Sequence, residues 1–558
     1  MPDTTIIVNH GKNSKRLMVS AKGPDGKLFP VKYKYVDQNK IKITTKVDSA
    51  TTLKLTVTPK PSNEEQSWYK TMQVVARGLM MVRNVSFTYR NQYAMALPGF
   101  KPTVGDMFGQ QQGNPLAPGL DFAFGFIDDG YIDKALDHKW LMTADDLATP
   151  ATTNKTVDLQ LRMTLEPVKN LKIDLNASRT ETKAKSIQYM YAGRPTTQSG
   201  SFNMTTISIG TAFESLGDAN SGYPSKAFDN FCNSLDGFRD RVEAQYNGST
   251  YPAGSPQAGQ KFDPKNGTVS KYSADVMIPA FLSSYTSMSS SSLDIFPTLS
   301  KLLPNWTIKY SGLSQLPWFR DVFKSVNLNH SYKSVYAVGS YSSYSTWMEY
   351  MNDLGFIKDA TTGNSTPSSM YNVSTVSINE AFSPLLGVDF TFNNNLTCKV
   401  EYRKIRTLTL STTSIQINED RSNDWVFGVG YKITNFNPFA SKARKVKNSK
   451  KKGDEEENAK KNAQKNNTSG FNSDLNLRLD ISLRNQASVC RDIATRISSA
   501  SNGNKALKLS FAADYTLTKM LTMSFFFNRQ TNTPLLSASS YPTTTTDFGL
   551  SVKFSLTR

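Results

Sequence analysis

Cysteine and histidine are scarce in this sequence. Three cysteines occur among 558 residues, far apart from one another: Cys232, Cys398 and Cys490. An odd number of isolated cysteines provides neither a disulfide framework nor the paired spacing of a zinc ribbon. The three histidines are equally scattered: His10, His138 and His330. The sequence therefore predicts no Cys- or His-based metal site, and the cysteines are interpreted as small apolar side chains.

Long apolar runs are missing as well. No window of about 18 apolar residues occurs, which excludes a transmembrane helix. The N-terminal stretch from Met1 to Val8 lacks the basic start and the apolar stretch of a secretory signal peptide. Taken alone, these absences indicate a cytoplasmic protein, an interpretation that the strand pattern reverses.

Charged residues are also few. They make up 20% of the chain, against 38% hydrophobic and 11% aromatic residues, and Ser, Thr and Asn supply much of the remainder. This composition argues against wholesale disorder and suits β-structure better than a helical bundle. The net charge of +19 is compatible with nucleic acid, an anionic surface or simple solubility. A length of 558 residues predicts several domains or one very large sheet.

Strict alternation of apolar and polar residues is the dominant pattern. It extends over four long segments: Val157 to Leu165, Leu475 to Leu483, Leu507 to Leu517 and Phe548 to Leu556. A period of two places all the apolar side chains on one face of a strand, whereas a helix would scatter them around its circumference. These segments are predicted to be β-strands.

Strand and turn lengths favour a membrane barrel over a soluble sandwich. Many runs cover about 9–11 residues or more, enough to cross a bilayer at a barrel's tilt. When the predicted strands are counted backward from the C-terminus, the tight turns lie on one side of the sheet: 166–170, 393–395 and 518–519. Longer polar connections at 485–505 and 530–546 fall on the other side. Outer-membrane barrels have short periplasmic turns opposite long external loops, which is the same arrangement.

The chain is divided into six predicted segments. They are a small β-module or strand extensions at 1–65, barrel strands with a Gly/Pro-rich loop at 66–212, a partly helical periplasmic-side insertion at 213–304, barrel strands at 305–439, a charged, disordered insertion at 440–472, and C-terminal barrel strands at 473–558. Within the third segment, spacings of three and four place five side chains on one helical stripe: Phe228, Phe231, Leu235, Phe238 and Val242. This stripe predicts a helix that packs against the sheet, with a partner-docking helix as the alternative.

The lysine-rich run at 440–467 accounts for part of the positive charge. It lacks the interleaved aromatic residues that base stacking would need, so no nucleic-acid partner is expected. A solvated insertion is the simplest interpretation, and attraction to anionic lipid headgroups or an acidic partner is the alternative.

No motif with catalytic spacing is present, and no catalytic, cofactor-binding or metal-ligating residue is predicted. The sequence contains no Walker loop, Gly-x-Ser-x-Gly or His-Glu-x-x-His motif. Gly428-Val429-Gly430 lies within a strand pattern and is interpreted as part of a strand, not as a phosphate loop. Asp128-Asp129 is interpreted as a solvated turn, with cation binding as the alternative. No cofactor and no enzymatic activity are expected.

Several stretches together resemble one family. They are Leu97-Pro-Gly-Phe-Lys-Pro, Ala117-Pro-Gly-Leu-Asp-Phe-Ala-Phe-Gly, Leu303-Pro-Asn-Trp-Thr-Ile-Lys-Tyr-Ser-Gly-Leu, Ser325-Val-Asn-Leu-Asn-His-Ser-Tyr, Phe382-Ser-Pro-Leu-Leu-Gly-Val-Asp through Arg406-Thr-Leu-Thr-Leu-Ser, Ser473-Asp-Leu-Asn-Leu-Arg-Leu-Asp, and Ser540-Tyr-Pro through Phe554-Ser-Leu-Thr-Arg. In this order they resemble the SprA/Sov family, the giant outer-membrane translocon of the Bacteroidetes type IX secretion system, which is also tied to gliding motility.

The resemblance implies a single-chain barrel of very high strand number in the outer membrane that passes folded cargo proteins. It further implies an outer-membrane cargo-receiving partner at a lateral opening and a periplasmic plug protein that closes the empty channel. Family members are several times longer, so the chain is expected to be a C-terminal portion, which would explain the missing signal peptide.

The fold class expected is therefore all-β, a transmembrane antiparallel β-barrel with small helical and loop insertions. Polar strand residues would line the lumen: Asn476, Arg478, Asp480, Lys508 and Lys553. Apolar residues on the other face would contact outer-membrane lipids: Leu475, Leu479, Phe511 and Phe554. An outer-membrane porin or small-solute transporter is the first alternative function, and a soluble cell-surface adhesin built of β-sandwiches is the second.

Overall fold

A computed structural model describes most of the chain. The described residues are 4–45, 51–60, 72–73, 78, 80–102, 117–142, 149–189, 196–351, 354–359, 363–434, 436, 474–518, 520–535 and 541–555. They form two compact units, Met1–Met81 and Val82–Arg558. The lysine-rich run at 440–467 lies outside the described residues, and so does much of the Gly/Pro-rich loop.

The described residues of the first unit contain six short strands. They are β1 (Thr4–Asn9), β2 (Leu17–Lys22), β3 (Leu28–Phe29), β4 (Val31–Tyr35), β5 (Lys40–Thr45) and β6 (Lys54–Pro59). They pair into two three-stranded antiparallel sheets, in the orders β1-β5-β4 and β3-β2-β6. Leu17, Ile41 and Ile43 form the small apolar core.

The second unit is dominated by one antiparallel sheet of 14 strands. Its strands are β7 (Val82–Ala96), β8 (Ala151–Leu165), β9 (Leu171–Ile187), β10 (Thr197–Thr205), β11 (Asn305–Tyr310), β12 (Phe323–Ser343), β16 (Tyr371–Val373), β17 (Thr375–Phe392), β18 (Leu396–Ser411), β19 (Gln416–Ile433), β20 (Asp474–Asp492), β21 (Ser498–Thr518), β22 (Leu521–Pro534) and β23 (Thr543–Phe554). The order runs from β23 to β7, and these two strands lie at its ends. The large antiparallel sheet with few helices confirms the predicted all-β antiparallel fold class.

Small elements decorate this sheet. β13 (Met348–Met351), β14 (Leu354–Lys358) and β15 (Ser365–Ser369) form a separate three-stranded sheet. The α-helices are α1 (Leu120–Ala123), α2 (Gly130–Asp137), α3 (Ile209–Ala212), α4 (Lys226–Ala244), α5 (Ala274–Tyr285) and α6 (Pro317–Arg320), and short 3₁₀ turns lie at Pro264–Asn266, Leu299–Lys301 and Gly312–Gln315. Within the described part of the chain, none of the helices has the length and apolar content needed to cross a membrane.

The sheet has two edges with different connections. The predicted tight turns at 166–170 and 393–395 join β8 to β9 and β17 to β18 at one edge, here called the tight-turn edge. At the opposite edge, the connections are shorter than the sequence predicted. Strand pairing continues through most of 485–505, so the connection is only 493–497, and the connection after β22 is 535–542. Hydrogen bonding to both neighbouring strands outweighs the weak strand preference of the Ser, Asn and Gly residues here.

Residues 206–304 form an insertion that interrupts one strand position of the sheet. β10 ends at Thr205 and β11 begins at Asn305, and both strands pair with β9 on one side and β12 on the other. The strand count placed this insertion on the tight-turn side. In the structure it leaves from the middle of the sheet and packs towards the opposite edge, against residues such as Leu410 and Ile493. The count failed because β10 was taken to reach the tight-turn edge, whereas it ends in the middle of the sheet and β11 completes the crossing after the insertion.

Helix α4 confirms the predicted amphipathic stripe. All five residues of the stripe are buried, and they contact α5 and the sheet. The Ser225 side chain caps the helix by accepting a hydrogen bond from the Phe228 backbone N–H at 3.3 Å, which satisfies one of the free N-terminal donors.

Candidate functional site

One face of the large sheet carries a continuous apolar band, which occupies the half nearer the tight-turn edge. Directly opposed residues in seven adjacent strands share this face: Phe390, Cys398, Val429, Leu479, Phe511, Phe527 and Phe548. The band continues through the other strands in a second register-matched row: Val85, Met163, Leu175, Trp306 and Tyr332. We call this side of the sheet the band face.

The band is exposed over a wide area. The exposed fraction is 45% for Trp425, 45% for Leu483 and 46% for Leu507, and it rises to 76% for Phe548 on the end strand. Soluble monomers rarely expose contiguous apolar patches beyond a few hundred Å². In β20 the band runs from Leu475 to Leu483, a nine-residue stretch that matches the length of a tilted transmembrane strand.

Aromatic residues lie near both margins of the band. On the side towards the opposite edge, the rings of Tyr402 and Trp425 have centroids 4.7 Å apart. On the tight-turn side, Tyr431 of β19 and Tyr515 of β21 lie on the same face, two residues apart in register. Aromatic girdles at both interfaces are typical of membrane barrels because an amphipathic ring suits the headgroup level.

The other side of the sheet, here called the polar face, carries ion pairs over the same strand segments. Arg478 Nε lies 2.7 Å from Asp480 Oδ2, and Arg484 Nη2 lies 2.9 Å from Asp424 Oδ2. The predicted lumen residues Asn476, Arg478, Asp480, Lys508 and Lys553 are all on this face by register. The predicted lipid-contacting residues are all on the band face: Leu475, Leu479, Phe511 and Phe554. The predicted division between the two faces is confirmed.

The Gly428-Val429-Gly430 segment lies within β19, as predicted. A Cβ added at Gly428 would lie 2.9 Å from Asp480 Oδ1, and one at Gly430 would lie 2.6 Å from Thr397 Oγ1. These glycines therefore make room for polar side chains of the neighbouring strands on the polar face, and not for a phosphate group.

On the band face, the insertion covers a layer of buried charged residues. This layer lies between the apolar band and the edge opposite the tight turns. Five of its side chains are almost fully buried: Glu380, Arg406, Glu419, Arg421 and Arg491. Buried charges are costly unless they are paired and hydrogen-bonded. The sequence carries a signal for this layer, because these charged residues continue the same alternation as the apolar band residues and so lie on the band face.

Arg406 joins the sheet to the start of the insertion. Its Nη2 lies 2.8 Å from Glu380 Oε2, and its Nη1 donates to the backbone oxygen of Thr211 at 2.8 Å. Glu380 Oε1 in turn accepts hydrogen bonds from Ser208 Oγ at 2.7 Å and from Tyr332 OH at 2.9 Å. The carboxylate and the guanidinium therefore fix α3 on the sheet.

Glu419 is the centre of a second contact with the insertion. It accepts from Arg421 Nε at 2.6 Å and from Arg491 Nη2 at 3.0 Å. These two arginines donate onward to backbone oxygens of the insertion, Arg421 to Glu214 and Arg491 to Tyr223. Together with Arg406, they hold the segment between α3 and α4 against the sheet.

Asp128-Asp129 does not form a cation site in the structure. Asp129 accepts hydrogen bonds from Lys185 Nζ at 2.5 Å and Tyr93 OH at 2.9 Å, and Asp128 accepts from the Gly130 backbone N–H at 3.0 Å. Burial opposes ionisation of Asp129, but the hydrogen bond and charge of Lys185 outweigh it and lower its pKa. The pair therefore stabilises the start of α2, which agrees with the predicted turn except that Asp129 is engaged by a lysine.

Metal and thiol chemistry find no support in the residues described. Over those residues, no group of three or more His, Cys, Asp or Glu side chains is placed to hold a metal ion. The three cysteines are free thiols, and burial raises the pKa of Cys232 to about 11. Cys398 lies on the band face between Leu396 and Val400, as the alternation predicted.

No family model and no curated protein matches this chain. Among solved structures, it is similar to the β domain of the Bordetella autotransporter Brka, with 7% identity, a TM-score of 0.21, and coverage of 73% of this chain and 92% of that chain. It is also similar to the anion-selective porin from Comamonas acidovorans, with 9% identity, a TM-score of 0.16, and coverage of 72% and 92%. Scores of this size establish neither ancestry nor function, so the proposals depend on the exposure and charge of the sheet itself.

Proposed function

We propose that the large sheet is part of the wall of an outer-membrane β-barrel and that the protein conducts other proteins across that membrane. The observation that carries the membrane assignment is the apolar band, which crosses the sheet in strand segments of bilayer-spanning length and is exposed on β7 and from β19 to β23. In water such a surface would drive aggregation, whereas lipid solvates it.

The polar face supports a hydrated channel. Its ion pairs, such as Arg478 with Asp480, lie in strand middles directly behind lipid-contacting leucines and phenylalanines. A water-filled lumen hydrates such groups at little cost, whereas a narrow, dry barrel would have to bury them.

The end strands bear on the size of the barrel. Residues 82–92 of β7 and nearly all of β23 are exposed, as expected of strands with a free edge. Open strand edges are not stable in lipid because their backbone groups lack hydrogen-bond partners. The proposal is that further strands continue the wall beyond these edges, as in the giant barrel of a type IX translocon.

The proposed mechanism is passive conduction without catalysis. Folded cargo would pass through the lumen, a cargo-receiving partner would engage a lateral opening, and a periplasmic plug protein would close the empty channel. Energy and direction would come from other components.

Single-channel recording on the purified full-length protein tests this function. A protein-conducting pore should give a large, weakly selective conductance when no plug protein is bound, and a plug protein should abolish that conductance. A stable conductance of solute size, unchanged by any added protein, would favour the porin alternative. Complete extraction from cells without detergent would favour the soluble adhesin and contradict both membrane proposals.

A further inference from the structure

A groove of about 560 Å³ opens on the band face where the apolar band meets polar residues. Its apolar wall is formed by Trp425, Leu483 and Leu507, with the ring of Tyr402 beside Trp425. Its polar wall is formed by the next band-face residues of these strands and by two residues of β22: Asn423, Asn485, Lys505, Thr531 and Thr533. The register places all of these side chains on one face of the sheet.

The polar margin of the band is cationic from β19 to β22. The first polar residue beyond the band in these four strands is Asn423, Asn485, Lys505 and Arg529, in that order. Asn423, Asn485 and Lys505 are directly opposed, whereas Arg529 lies four residues nearer the tight-turn edge, and none of these four positions carries a carboxylate. Lys505 and Arg529 are both exposed, and neither forms an ion pair with any other residue described in the structure. Two unneutralised cations next to an apolar surface match a ligand with an anionic head and an apolar body.

We propose that this groove binds a phosphorylated membrane lipid. The acyl chains would lie against Leu483, Leu507 and Trp425, and the phosphate would accept a hydrogen bond from Lys505. Arg529, on the adjacent strand and outside the groove, would add a longer-range attraction to the anionic headgroup. The Asn and Thr side chains of the polar wall supply further hydrogen bonds to headgroup oxygens. This inference rests on the proposed membrane location, because it places the groove at the interface on the side away from the tight turns.

The charge pattern favours a lipid over a free anion. Lys505 and Arg529 are separated along the strands, since Lys505 lies opposite Thr533 while Arg529 lies four residues further towards the tight-turn edge. Such a spread arrangement does not enclose a small ion, but it suits a headgroup anchored by its chains in the adjoining apolar wall. A cation near an anionic lipid surface contributes about 1 kcal/mol, or roughly fivefold in binding per side chain.

The test uses the full chain in nanodiscs of phosphatidylcholine, with phosphatidylglycerol as the anionic probe and native mass spectrometry as the readout of retained lipid. We expect the wild type to retain phosphatidylglycerol in preference to phosphatidylcholine. The double variant Lys505→Gln with Arg529→Gln should lose roughly tenfold or more of that preference. The matched control is Lys508→Gln with Lys553→Gln, which removes the same charge from the polar face and should leave the preference unchanged.

Three outcomes would overturn the inference: equal retention by the wild type and the Lys505/Arg529 variant, an equal loss in the control, or complete displacement of the lipid by inorganic phosphate. These outcomes are separable from failure of the proposed function. A protein that does not enter nanodiscs contradicts the membrane location, whereas one that enters but shows no lipid preference contradicts the lipid site alone.

Discussion

At the scale of single residues, Asp275 is a carboxylate buried at the start of α5. Its Oδ1 accepts from Ser369 Oγ at 2.5 Å and its Oδ2 accepts from the Ser369 backbone N–H at 3.0 Å, which ties the helix to β15. Burial raises the pKa of Asp275 above its usual range, although the two hydrogen bonds act in the opposite direction. The folded state therefore binds this proton more tightly than the unfolded state does. The stability that protonated Asp275 adds to the fold is complete below the unfolded pKa of about 3.9, and it is lost as the pH rises towards the folded pKa.

The substitution Asp275→Asn should remove this pH dependence. An amide keeps an acceptor for the Ser369 N–H and carries no charge, so the variant should be at least as stable as the wild type at pH 7. Asp275→Ala should lose about 1–3 kcal/mol because the Ser369 groups are left without a partner. Hydrogen exchange of α5 between pH 4 and 7 measures both effects. Equal destabilisation by Asn and Ala would show that the ionised carboxylate is needed.

At the scale of elements, the insertion is held on the sheet by arginines that donate to its backbone. Arg491 is fully buried, contacts Glu419, and donates to the Tyr223 backbone oxygen at 2.5 Å and to Ser498 Oγ at 3.0 Å. Arg496 also contacts the insertion, through Asn233 at 2.9 Å, but it is exposed. The two residues therefore provide a matched comparison of buried and exposed contacts.

Arg491→Ala should loosen the insertion strongly. Removing one partner of a buried ion pair costs about 3–5 kcal/mol because the other charge stays buried, whereas exposed contacts contribute about 0–1 kcal/mol. Limited proteolysis within residues 206–304 should therefore accelerate in Arg491→Ala and stay near the wild-type rate in Arg496→Ala. Equal cleavage rates in the two variants would argue that apolar packing alone holds the insertion.

Some of the helices and strands could be predicted from sequence patterns alone, and others could not. The stripe on α4 predicted a packed helix because its period needs only local information. The sequence predicts a long loop over 485–505, which is wrong, since the strand character of this segment depends on pairing between β19, β20 and β21. The sequence also predicts the wrong side for the insertion, because β10 and β11 share one strand position and this is visible only from their common neighbours.

At the scale of the whole molecule, the band face has two kinds of cover. The half nearer the tight-turn edge carries the apolar band, and part of the half nearer the opposite edge is buried beneath the insertion. In the proposed orientation, lipid covers the first and the insertion covers the second. The strands are therefore longer than a bilayer needs, and β12 and β21 reach 21 residues each.

The orientation of the sheet can be tested with neighbouring residues of β20. Leu479→Arg places a charge on the apolar band and should destabilise the membrane-inserted state by about 2–4 kcal/mol. Arg478→Ala should have little effect, because this side chain is 72% exposed on the polar face. Heat-modifiable migration on gels and the yield of outer-membrane assembly measure the difference. Equal defects from both substitutions would contradict the assignment of the two faces.

The sequence by itself determined the two faces of the long alternating strands. The period of two is a local property, so Leu479 and Arg478 could be assigned to opposite faces without knowledge of their neighbours. Only the tertiary structure decided what covers each part of a face. Arg406, Glu419 and Arg491 follow the same alternation as the apolar band, yet they are buried under the insertion. Arg406 and Arg491, like Arg421, donate to backbone oxygens roughly 200 residues or more away in the chain, and contacts at such separation leave no period in the sequence.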